Sequence, residues 1–179
     1  MKTKTLDKLQ YVFPIIVLVL FCSQLAWDYY HDGVPTHYLL HDPNLPGFSN
    51  WWGLITIPLG AFFLIYRIRK RIHAKGWQLV PYNSRLLFIL GLLVAITIAV
   101  GFNLEWAYLH YVAFALIGSS FFIPLYKSEF LLGFTLGLVF SFGSILPVII
   151  GAVYAIIFAI CYLVIRKGII WLLYRPEKV

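Results

Sequence analysis

FLLGFTLGLVFSFGSILPVIIGAVYAIIFAICYLVI, residues 130–165, decides the fold. The run carries no charge and is far longer than the ~20 residues that cross the ~30 Å hydrocarbon layer of a bilayer. Strands of globular proteins run only ~3–10 residues, so a stretch of this length is helical and must fold back on itself. Pro147 marks where. Proline lacks a backbone N–H and clashes with the preceding turn, yet it suits the first turn of a new helix. Spans at 130–146 and 148–165 follow.

The same reading extends outward. Apolar runs at 10–27, 50–66, 86–102 and 105–126 each have the length of a membrane span. The expected fold is all-α, a polytopic integral membrane helical bundle of about six transmembrane helices in a single domain, 1–179. Composition agrees. The chain is 61% hydrophobic and 12% charged, where soluble domains are about 25% charged. The start, MKTKTLDKLQYVFPIIVLVLFCSQLAW, has the basic and apolar regions of a signal peptide. Its apolar part is long and no small-x-small site follows, so it is read as a retained first helix. Cys22 and Cys161 fall in spans near opposite faces, too far apart for a disulfide.

Charge placement gives the orientation. With the N-terminus inside, Lys2, Lys4, Lys8, the basic loop 67–85, Lys127, Arg166, Lys167, Arg175 and Lys178 all lie on the cytoplasmic side, which accounts for all 14 Lys and Arg. Both termini are then cytoplasmic, as the positive-inside rule requires of short loops. The net charge of +7 follows from insertion and anionic headgroups, so membrane lipids are the expected partners and nucleic acid is not. The setting expected is the plasma or inner membrane of a prokaryote.

Small residues recur every four positions in the last two spans: Gly133, Gly137 and Ser141, then Gly151, Ala155 and Ala159. Such stripes let helix backbones approach closely, and here they predict a tight hairpin between spans 5 and 6.

The outer side collects the chemistry. Residues 28–49 hold Asp28, His31, Asp32, His37, His41 and Asp42, with Glu105 on the same side and His110 about one turn inside span 4. If the first helix continues for one more turn, Asp28, His31 and Asp32 share a face at i, i+3 and i+4. If Pro35 and Thr36 open a short helix, His37 and His41 stand one turn apart, a spacing that can chelate one metal ion. His31, His37 and His41 are therefore the candidate ligands for zinc or another divalent transition metal. Asp28, Asp32 and His110 are the candidate catalytic groups. Glu105, Asp42 and Ser144 are secondary candidates, Ser144 because SFGSILP can break span 5 and turn freed backbone groups into a cavity. The competing view is a wet loop whose histidines and acids only cap and hydrogen-bond the backbone.

The sequence contains no GxSxG, Walker, GxGxxG, CxxC or HExxH motif. No acid lies deep in a span, which argues against a proton-coupled carrier. Two functions stay open. One is a metal-dependent, membrane-embedded hydrolase acting on a lipid or other amphiphile. The other is a small-solute or metal-ion transporter, channel or accessory subunit, with the His/Asp cluster as its entrance and a small-molecule ligand as its cargo.

Overall fold

Helix α1 spans Lys2–His31 and is followed by a two-stranded hairpin, β1 Thr36–Tyr38 and β2 Gly47–Ser49. A 3-10 turn over Asn50–Trp52 leads into α2, Gly53–Lys75. Then come α3, Pro81–Asn103, α4, Leu109–Ser119, and α5, Ser128–Phe142. The last rod, α6, runs Leu146–Leu173 and passes through a π-helical stretch at Ile160–Ile165. The computed structural model describes residues 2–38, 42, 44–75 and 81–173.

The described residues form an all-α, membrane-like bundle of six helices. Four of them, over Asp7–His31, Asn50–Ala74, Asn83–Asn103 and Leu146–Leu173, are long and apolar enough to cross a membrane. Helices α4 and α5 are shorter than their apolar runs suggest, with 11 and 15 residues. The causes are local. Helix α4 ends in a series of turns ahead of Pro124, and α5 stops at Gly143, whose φ of 74° is open to glycine and strained for other residues. At 1.5 Å per residue, α5 is only about 22 Å long. It is tolerated because it forms the buried centre of the bundle: Phe130, Phe134 and Leu138 are nearly inaccessible and pack with Phe158 of α6 and Ala95 of α3.

The basic stretch 67–75 is not a loop. Helix α2 continues through it to Lys75, and α3 begins at Pro81, ahead of the apolar run. This brings charges to the bundle's neighbouring helix ends. Arg69 pairs with Asp7 of α1 at 3.1 Å, and Arg71 pairs with Glu129 at the start of α5. Ser84 of α3 donates to Glu129 Oε1 at 2.7 Å. Tyr162 of α6, with Arg166 over its ring, lies against Tyr126. The basic residues of all these helices thus gather at one end.

The glycine stripe on α5 has a different partner from the one the sequence suggested. A methyl group on Gly133 would collide with the carbonyl oxygen of Phe88, and one on Gly91 with that of Phe130. Gly137 rests against the Ala95 methyl. The stripe therefore docks on α3, not α6, and the two backbones touch. Gly151 of α6 instead meets the Thr135 methyl. Threonines within the spans bond to their own helix backbone: Thr56, Thr97 and Thr135 each donate to the carbonyl one turn back. Cys22 and Cys161 are free thiols.

Candidate functional site

The end opposite the basic cluster is built on Asn50. Its backbone N–H donates to Pro35 at 3.1 Å, which ties α2 to the base of the hairpin. Its side-chain Oδ1 accepts from Ser144 N–H at 3.1 Å, across 94 positions of sequence. Asn50 and Ser144 are both buried, at 1% and 2% exposure, so one carboxamide satisfies the backbone freed where α5 breaks. His37 completes the cap. Paired with Phe48 across the hairpin, it lays its ring edge against the space that a side chain at Gly143 would fill. Gly53 is equally tight against the Phe21 ring and Ser144 Cβ.

The structure places the other candidates separately. Helix α1 does continue to His31, so Asp28 and His31 share the expected helical spacing. The ring of His31, however, stacks on Trp27 at 3.9 Å, and its Nδ1 meets the Trp27 carbonyl at 2.9 Å. Asp28 is half-buried, and its Oδ2 has no hydrogen-bond partner among the described residues. Asp32 is exposed. Residues 36–38 form a strand instead of the short helix expected after Pro35, because they pair with 47–49. The HxxxH spacing of His37 and His41 is therefore not helical at its first member, and His41 lies outside the described residues. Asp42 accepts from the backbone and side chain of Asn44, which makes it a turn residue. Glu105 is exposed and adopts φ 52° where the chain leaves α3. Among the described residues, no three His, Cys, Asp or Glu side chains converge as a metal site.

His110 stands apart from this cap and faces a cavity. Helices α3, α4, α5 and α6 line a recess of about 320 Å³ beneath it. Phe102 and Phe142, with rings 4.7 Å apart, line its upper part, and Tyr154 lies deeper. The walls are almost entirely apolar, with the His110 imidazole resting against Tyr111 at 4.1 Å. No family model, curated protein or solved structure matches this chain.

Two features were not singled out by sequence reasoning. Asn50 stands directly after Ser49 and before Trp51 and Trp52, which signals a helix entry but not a buried carboxamide. The second feature is the buried Glu129, hidden by its neighbours. It follows Lys127 and precedes a long apolar run, a setting with no local sign of burial.

Proposed function

We propose that this integral membrane protein takes a lipid or another amphiphile from the outer leaflet into the cavity under His110. The observation that carries this is a single imidazole at an otherwise apolar recess of 320 Å³, the size and composition of small-molecule sites. A chain or ring packs against Phe102, Phe142 and Tyr154, while His110 hydrogen-bonds the polar end. The orientation, with both termini cytoplasmic in a prokaryotic plasma membrane, is supported by the gathering of basic residues at the opposite end.

The test is titration of the protein in nanodiscs with a fluorescent single-chain amphiphile. Ala113→Phe, which fills the cavity, is expected to abolish saturable binding. His110→Ala should weaken it by roughly tenfold, the loss of about 1.4 kcal/mol of hydrogen bonding. Unchanged binding by both variants, with unchanged melting, would sink the reading.

A second, catalytic reading places the site at the hairpin, apart from the His110 recess: a hydrolase in which His37 and His41 would hold zinc or another divalent transition metal, which would supply Lewis-acid activation of water, with Asp28 or Asp32 as the general base. Support comes from His37, which the hairpin holds at the outer end near the α5–α6 break. Metal content of the purified protein is expected to fall by one equivalent in the His37→Ala, His41→Ala double variant. Equal content in both proteins removes the metal and with it this mechanism.

A further inference from the structure

A second recess lies on the far side of α5, between α2, α5 and α6. It holds about 330 Å³ and exists because the residues around it are small: Gly60 and Ala61 on α2, Gly151, Ala152 and Ala155 on α6. A methyl group on Gly60 would touch nothing within 4 Å. Along α2 the recess runs from Ile57 to Arg67, about 15 Å at 1.5 Å per residue. That is half of the ~30 Å hydrocarbon layer, the depth of one leaflet. Phe63, which is exposed, stands at its edge.

Among the described residues, the recess has one charged residue in its lining, Arg67, at the end shared with the basic cluster. Of the nearby arginines, Arg69 pairs with Asp7 and Arg71 with Glu129, while Lys70 is exposed and lies outside the recess lining. Arg67 instead lies over the Phe63 ring at 5.8 Å, with no carboxylate partner among the described residues. A guanidinium at the headgroup level, above an apolar trough one leaflet deep, matches a phosphate attached to an acyl chain.

We propose that this groove binds one acyl chain of an anionic phospholipid of the basic-side leaflet, with the lipid phosphate on Arg67. A second copy of the chain is a poorer occupant. A two-fold axis through the groove, along the membrane normal, would bring two Arg67 side chains to the same depth and set like charges together. The site is separate from the His110 cavity, so either can fail without the other.

The experiment is native mass spectrometry of the full-length protein released from nanodiscs of mixed phosphatidylglycerol and phosphatidylcholine. Wild type is expected to retain one phosphatidylglycerol in preference to phosphatidylcholine. Arg67→Gln should reduce that preference by roughly tenfold while keeping a bound lipid. Ala152→Phe, which occupies the groove, should lose the bound lipid with little change in melting temperature. Equal retention of phosphatidylglycerol by wild type and both variants overturns the proposal. So does a wild-type dimer that Ala152→Phe converts to monomer, since the groove is then a subunit interface.

Discussion

Gly91→Ala and Gly133→Ala are each expected to lower the melting temperature in detergent by roughly 6–12 °C. The added methyl groups meet the carbonyl oxygens of Phe130 and Phe88, respectively. A clash with a flexible side chain can be relieved by a rotamer change, but a helix carbonyl moves only with its helix. Helices α3 and α5 must therefore separate along their whole contact. Overpacking costs ~1–3 kcal/mol and occasionally more, and rigid obstacles place these two at about 3 kcal/mol. For a chain of this size, each kcal/mol lowers the midpoint by ~2–4 °C. The double variant should lose less than the sum, because the separation forced by one methyl makes room for the other. Gly118→Ala is the control. It lies in α4 with open space around it, so it should melt at or slightly above wild type. Equal effects at Gly91, Gly133 and Gly118 would show that helix propensity, not backbone contact, governs these positions.

The stripe behind this prediction was visible in the sequence, while its partner was not. Four-residue spacing of Gly133, Gly137 and Ser141 fixes a face of one helix, but nothing local says which neighbour it meets. Four apolar runs of the sequence coincide with helices long enough to cross a membrane, a length that the bilayer sets. Hydropathy overestimated α4 and α5, whose ends depend on backbone conformation at Gly143 and on turns before Pro124. The break in the long apolar run was expected at Pro147 and occurs at Gly143–Ile145, with the proline in the opening turn of α6.

The candidate residues divide along the same line. Spacing puts Asp28 and His31 on one face if the first helix continues past Trp27, and α1 does run to His31. It could not foresee that His31 would lie on Trp27, or that Thr36–Tyr38 would find a strand partner across the Asp42–Asn44 turn. Strand pairing is non-local and leaves no helical periodicity to read. The Asn50–Ser144 hydrogen bond and the cavity beneath His110 depend on helices far apart in sequence, so neither has a local signature.

Arg71→Ala should be the most damaging single substitution outside the glycines. Glu129 is 2% exposed and accepts from both Arg71 and Ser84, while its Oε2 has no partner among the described residues. Removing the guanidinium leaves a carboxylate shut away from water with one hydroxyl for support. Breaking a buried ion pair from one side costs ~3–5 kcal/mol, mostly the penalty of the charge left behind. At ~2–4 °C per kcal/mol this is a drop of roughly 6–20 °C. Glu129→Gln should cost less. The amide oxygen still accepts from Ser84, and the Arg71 side chain, 24% exposed, can reach toward water. Adding Glu129→Gln to Arg71→Ala should then recover much of the lost stability, because the stranded charge is gone. A full double-mutant cycle in detergent measures this, with the coupling expected at more than about 1 kcal/mol. Strict additivity would mean that α2 and α5 are held by their apolar contacts alone, with the ion pair a bystander at the junction.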